Sequence, residues 1–175
     1  MDFISKNESI EGSRAAQQVE VEIVPAGKKH LYSITAMTEA FFPYANFSFE
    51  EINRRISTNN IFYFVALTQG HTAGFVDFEL KEKSAQILGL AVLEEYRGKG
   101  IGAKLLEKGL DEIMRLSRER AIPLERIDLL VSVSNPAALA MYKKHGFETA
   151  GKLDRQLWGQ EILVFSKKFF KNPVN

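Results

Sequence analysis

Two runs of almost unbroken apolar residues, 84–93 and 127–133, lie on either side of one long amphipathic helical pattern, and this arrangement restricts the fold more than any other feature. Strands that are apolar throughout belong inside a sheet that is covered on both faces. Between them Ile101, Leu105, Leu106, Leu110, Ile113 and Leu116 recur on one helical face, and Pro123 is expected to end that helix. A connection of this length can return the chain in a right-handed crossover, which places the two strands parallel. The centre of the sheet is therefore parallel, with helical cover.

The remaining elements surround this unit. Val19, Val21 and Ile23 alternate with Glu20 and Glu22, the period of a half-buried strand ending at Pro25. Leu31, Ile34, Met37, Phe41 and Phe42 recur at helical spacing as far as Pro43. Ser48 and Glu51 read as a capping box, with Phe47 and Ile52 as its hydrophobic staple, so a short helix starts at Phe49 and reaches Ile56. Strands are expected at 61–67 and 72–80 around a turn at Gln69, Gly70 and His71. Asn135-Pro136 opens a helix that Gly146 closes, and two further strands follow at 147–152 and 161–169. The order β, α, α, β, β, β, α, β, α, β, β describes one α/β domain with a mixed sheet of about seven strands and helices on both faces. It is expected to cover 19–175, after a polar tail at 1–18.

Composition narrows the function classes. The 175 residues include 23 Lys+Arg against 22 Asp+Glu, a formal charge of +1. Coating nucleic acid requires a basic surplus, so no nucleic-acid partner is expected. The chain has no run of the roughly 18 apolar residues that a membrane span needs, and its first residues show no secretory apolar segment. A soluble, cytoplasmic protein with no membrane partner is the expectation. Zero cysteines exclude a disulfide scaffold and a cysteine-based covalent intermediate. His30, His71 and His145 lack metal-ligand spacing, so no metal is expected.

The chemistry concentrates after the first apolar strand, in Arg97, Gly98, Lys99, Gly100, Ile101 and Gly102. Three glycines remove side chains from the turn, and the helix start behind them offers unpaired N–H donors and a positive dipole end. An anion, most naturally a phosphate, fits there, with Arg97, Lys99 and Lys104 adding charge. The segment is not G-x-x-x-x-G-K-[ST], which excludes a Walker A loop. Gly98, Gly100 and Ala103 satisfy G-x-G-x-x-A, the dinucleotide fingerprint, but the next strand ends at Val133-Ser134-Asn135 without the acid that would hold a ribose, and Asp128 lies near its beginning. No G-x-S-x-G elbow is present.

Arg97-x-x-Gly100-x-Gly102, following the apolar strand, resembles the acetyl-CoA signature of the GNAT superfamily of N-acetyltransferases. The run from Asn135 through Ala138 and Tyr142 to Gly146-Phe147 is similar to that family's N-x-x-A-x-x-x-Y-x-x-x-G-F block. The resemblance covers roughly 19–169. It implies a GNAT-like acyl-CoA N-acyltransferase fold and acetyl-CoA as co-substrate. Its pyrophosphate would lie on Arg97 and the N–H groups of Gly98, Lys99, Gly100, Ile101 and Gly102, and its pantetheine arm along Leu90, Ala91 and Val92. Asn135 would contact the arm, in addition to capping its helix.

The implied reaction is direct attack of a primary amine on the thioester in a ternary complex. Tyr142 matches the family's general acid toward sulfur, and the backbone N–H near Val92 its oxyanion donor. The usual bases are missing: Leu130 stands where N-terminal acetyltransferases carry glutamate, and Gln86 where histone-type relatives do. Glu79 is a candidate acting through water, with a solvated strand face as its other role and loss of the amine proton to ordered water as the alternative. Phe41, Phe42, Tyr44, Phe47, Phe49 and Trp158 lie where relatives build the acceptor lip. The acceptor is expected to be a small amine or amino-acid-like molecule. A protein N-terminal or lysine acetyltransferase, or an acyl-CoA-binding sensor without turnover, is the alternative, and the resemblance admits a homodimer paired through sheet edges.

Overall fold

The computed structural model describes residues 20–157 and 159–169; Val19, the 1–18 tail and Trp158 lie outside them. The described chain forms β1 (Glu22–Pro25), α1 (Leu31–Phe41), α2 (Phe49–Ile56), β2 (Ile61–Thr68), β3 (His71–Leu80), β4 (Ser84–Val92), α3 (Ile101–Glu119), β5 (Arg126–Ser132), α4 (Pro136–Lys144), β6 (Glu148–Lys152) and β7 (Ile162–Lys168). This is the order expected from hydrophobic period and turn chemistry. The strands make one sheet, β1-β2-β3-β4-β5-β7-β6. Only β4 and β5 pair parallel among the described residues, as the crossover through α3 requires.

Each face of the sheet has its own core. Helix α3 packs Ile101, Leu105, Leu106 and Ile113 against Val76, Phe78, Ile87 and Leu129, and Tyr142 of α4 joins the same cluster. On the other face α1 and α2 bring Leu31, Ile34, Met37 and Ile52 onto Tyr63, Val65, Phe75 and Ala91. Among the described residues no helix is long and apolar enough to cross a membrane.

Local chemistry accounts for most boundaries. The β2–β3 turn has φ of 50° at Gln69 and 79° at Gly70, the left-handed pair that matches strand twist. Asn135 Oδ1 accepts the Ala138 N–H over 3.1 Å at the start of α4, and Gly146 ends that helix with φ of 82°. Two expectations require correction. Helix α3 stops at Glu119, before Pro123, because Ala121 turns to φ 51°. There the Ile122 N–H returns to the Ser117 carbonyl at 2.8 Å, while the Ser117 hydroxyl donates to the Ile122 carbonyl. The capping box forms only in half: Ser48 Oγ accepts the Glu51 N–H, but the Glu51 carboxylate turns to Arg54, at 2.7 and 2.9 Å.

Gly74 sets how closely β3, β4 and α3 approach. A Cβ there would lie 2.6 Å from the Ala91 carbonyl oxygen and 3.0 Å from Leu105 Cδ1. Gly74→Ala must push a backbone group aside, and overpacking of this kind costs about 2 kcal/mol. The expected result is a midpoint about 6 °C lower in a thermal melt.

One irregularity shapes the sheet centre. Asp77 pairs with Gly89 and Phe78 with Ile87, so Leu88 is an extra residue on β4, a β-bulge. Bulges bend and twist the strand that carries them. The pairing of β4 with β5 covers 84–87 against 126–129 and ends there, although both strands continue. Strand β5 was expected to be buried on both faces. Instead Ile127, Leu129 and Val131 are buried while Leu130 is 45% exposed, because the core under α1 and α2 includes no residue of β5.

Candidate active site

Among the described residues, the divergence leaves the 88–92 edge of β4 without a strand beside it on the β5 side. Beyond the bulge, Leu90 and Val92 face the α3 core and Ala91 faces α1 and α2. Main-chain groups of Leu90, Ala91 and Val92 along this edge can pair with an extended amide-bearing ligand, as an added strand would. Arg97 Nε donates to the Val92 carbonyl at 3.0 Å and the guanidinium lies over the Phe41 ring at 5.2 Å. Arg97 thus secures the end of the edge in addition to standing at the turn.

The turn itself has an alternating conformation. Gly98 and Gly100 have φ of 72° and 77°, a region that other residues enter at a cost. Gly100 is the N-cap of α3, so the N–H groups of Ile101, Gly102 and Ala103 form the helix's first turn, where donors have no intrahelical acceptor. A Cβ on Gly98 or Gly100 would meet nothing within 4 Å, so the turn that leads into these donors is uncrowded. Donor set and space both fit a phosphate group. Gly102 has a different duty: a Cβ there would contact Met141 of α4 and Leu90 and Val92 of β4, at 3.5–3.8 Å. Lys99 folds back onto the Glu95 carbonyl at 2.8 Å.

Tyr142 reaches this region from α4. It is 7% exposed, and its ring meets Phe147 edge-on at 5.9 Å. Burial, and then the neighbouring Tyr44, push its phenol up to about 12. The hydroxyl therefore keeps its proton at neutral pH. Asn135 uses Oδ1 for its cap, which leaves its amide N–H groups as donors toward a ligand.

The structure puts Glu79 elsewhere. It pairs across from Gln86, near the start of β4, where Asn60 donates to one oxygen at 3.1 Å and Lys81 Nζ lies 3.5 Å from the other. Its place is at the far end of β4 from Val92. The carboxylate nearer the open edge is Asp77, which the sequence reading did not single out. It is 4% exposed in the middle of β3, opposite Gly89. Its signal was a lone acid in the apolar run from Ala73 to Phe78, since a charge in such a position requires a partner.

That partner is Arg55 of α2, whose Nη2 donates to Asp77 Oδ2 at 3.2 Å while its Nε donates to the Tyr63 hydroxyl at 2.8 Å. Removing one member of such a pair costs about 3–5 kcal/mol. Burial raises the Asp77 carboxyl to about 6, with Arg55 holding it down against that rise. Over the cluster lies the connection between α1 and α2: Phe42 meets Phe75 and Tyr44 edge-on, at 6.2 and 6.0 Å. Phe47 lies under Arg55 at 4.5 Å, and Phe49 meets Tyr32 at a tilt over 4.8 Å, so these two rings belong to the packing of α2. Tyr44 is half-exposed, and burial followed by the Asp77 charge raises its phenol.

Of the histidines, His30 accepts the Gly27 N–H through Nδ1 at 3.0 Å, and His145 lies 2.7 Å from the Met141 carbonyl at the end of α4. Both serve helix ends.

Comparison with known proteins agrees with this geometry. The family model described as acetyltransferase (GNAT) family matches residues 30–147. A putative [ribosomal protein bS18]-alanine N-acetyltransferase of Bacillus subtilis (strain 168) is 34% identical over 89 residues, 51% of this chain and 55% of that one. An N-alpha-acetyltransferase of Sulfurisphaera tokodaii is 32% identical over 98 residues, 49% of this chain and 56% of its own length. The chain thus spans about half the length of these curated relatives. Among solved structures, the ribosomal-protein-S18-alanine N-acetyltransferase of Escherichia coli superposes with a TM-score of 0.71 at 19% identity, covering 89% of this chain and 99% of that one. Spermidine N-acetyltransferase from Vibrio cholerae, in complex with CoA and spermine, gives 0.70 at 23% identity, with coverage of 85% and 95%. A signature turn, a split parallel pair and a family match over most of the chain agree, and the protein belongs to the GNAT family of acetyltransferases.

Proposed function

We propose that this protein transfers the acetyl group of acetyl-CoA to a primary amine by direct attack. The observation that carries the reading is the separation of β4 from β5 after Ile87 and Leu129, with the first turn of α3 set against Leu90 and Val92 of that unpaired stretch through Gly102. Acetyl-CoA, when bound, supplies the electrophilic thioester carbon. The Gly98–Gly102 turn would hold its phosphates, and the Leu90, Ala91 and Val92 edge would hold its amide arm. A main-chain N–H on that edge would receive the developing oxyanion, a contribution of about 3–4 kcal/mol. Tyr142 would donate to the departing sulfur.

The acceptor we infer is an amino-acid-like amine with an apolar side chain, either free or at a chain N-terminus. The large hydrophobics that remain exposed among the described residues are Tyr32, Tyr44, Leu130 and Val133, and of these Leu130 and Val133 lie on and just after β5, beyond its last residue paired with β4. An apolar rim of this type accommodates a hydrocarbon substituent better than a second ammonium. Similarity to alanine and α-amino acetylating enzymes supports the same choice.

Calorimetry and thiol release test the reading. Acetyl-CoA is expected to bind saturably and NAD not to bind. The chain should then release free thiol from acetyl-CoA with a leucine- or alanine-led hexapeptide or leucine amide, and less with spermidine. Binding of NAD in place of acetyl-CoA would overturn the cofactor assignment, and binding of acetyl-CoA without thiol release across the panel would make the chain a sensor.

A further inference from the structure

The two oxygens of Asp77 face different surroundings. Oδ2 takes the Arg55 bond from α2, and the Tyr63 hydroxyl of β2 also hydrogen-bonds the carboxylate. Oδ1 points the other way, across to β4. A Cβ built on Gly89 would come within 2.7 Å of Oδ1, and 3.4 and 3.5 Å from the rings of Phe42 and Phe75. Oδ1 therefore occupies the volume that a side chain at position 89 would fill, beside the first residue of the Leu90, Ala91 and Val92 edge. The cross-strand register brings a β3 carboxylate to a β4 position that has no side chain of its own.

We propose that Asp77 receives the proton of the acceptor ammonium across the space that Gly89 leaves in β4. The inference rests on reading the β4 edge as the thioester site. An alkyl or α-amine is largely protonated at pH 7 and must lose one proton before nitrogen has a lone pair to give. That proton passes to Oδ1. Nitrogen then attacks the thioester carbon, the C–N bond forms and the C–S bond breaks; a second nitrogen proton passes to the departing sulfur, which the Tyr142 hydroxyl holds by a hydrogen bond until it arrives, and the third stays on the amide. Base and acid thus stand on opposite faces of β4, Asp77 with α1 and α2, Tyr142 with α3 and α4.

The surroundings suit a base. The titratable groups facing Asp77 are Arg55 from α2, Tyr63 from β2 and Tyr44 from the α1–α2 connection, while β4 contributes only Gly89. Burial lifts the carboxyl to about 6, nearer to working pH than an ordinary carboxylate, and Arg55 keeps it ionised above that. The proton-accepting form is present above pH 6 and is lost as pH falls through that value.

The test uses the full chain, acetyl-CoA, and the panel amine turned over best, together with ethylamine, cationic at pH 7, and trifluoroethylamine, neutral there. Asp77→Asn is expected to bind acetyl-CoA as the unchanged protein does, to lose about 100-fold in kcat with the cationic amines, and to lose the acid limb of the pH profile. With trifluoroethylamine the loss should be within threefold. Equal losses for charged and neutral amines would mean a structural role and overturn the proposal, as would a full rate with the cationic amine. Should Asp77→Asn fail to fold, Gly89→Ala decides: it should bind acetyl-CoA normally and show the same selective loss, and an unchanged rate would overturn the proposal. Failure of the unchanged protein to bind acetyl-CoA or release thiol with any amine is a separate result, which sinks the acetyl-transfer reading itself.

Discussion

Gly100→Val is expected to abolish acetyl-CoA binding in calorimetry, weakening it at least about 100-fold, which corresponds to about 2.7 kcal/mol. Two effects act at this residue. Its φ of 77° is left-handed, and a residue with a Cβ pays about 1–2 kcal/mol to stay there. The larger effect concerns the ligand. Nothing lies within 4 Å of a Cβ at position 100, so an isopropyl group there would project into open space beside the N-cap of α3. That volume is where charge-assisted bonds from main-chain N–H groups, about 1.5–3 kcal/mol each, would hold the phosphates. Gly100→Ala separates the two effects, since it carries the backbone cost with less bulk. A modest fall in melting temperature together with lost binding is the expected pattern. Normal binding by Gly100→Val would show that the anion site is elsewhere.

Tyr142→Phe is expected to bind acetyl-CoA unchanged and to lose about 100-fold in kcat. The ring stays packed on Phe147, so the fold should hold. What disappears is the O–H that, in the proposed reaction, would face the departing sulfur. Burial and Tyr44 push that phenol up to about 12, so the proton-donating form is present below this value and lost only as pH rises through it. The rate should therefore show no alkaline fall from Tyr142 between pH 7 and 10. An acid this weak does not hand its proton fully to a thiolate, whose pKa is about 8.5; it stabilises the leaving group by a strong hydrogen bond while the nitrogen proton arrives. If Tyr142→Phe turned over at the normal rate, the leaving-group role would pass to another donor.

Local signals carried much of the architecture. Alternation at Ile23, helical spacing from Leu31 to Phe41, the Asn135-Pro136 cap and Gly146 each act within a few residues, and every one appears at its expected place. Side-chain partners were less legible than backbone elements. Glu51 chose Arg54 over its own N-cap. Glu79, proposed as the base, is held by Asn60 and Lys81. Lys99 turns back to Glu95. Each of these groups has several partners within reach of its side chain, and burial and geometry select among them.

Sequence by itself determined the element order, the crossover that makes β4 and β5 parallel, and the glycine turn at the start of α3. Hydrophobic period and glycine φ preferences are properties of neighbours in the chain. Tertiary structure alone decided that Leu88 bulges, that β4 leaves β5 after Ile87, and that Asp77 of β3 fills the place of a side chain at Gly89. Register between strands depends on how two faces of a sheet pack at once, α3 on one and α1 with α2 on the other. The acceptor side of the site exists only once both are in place.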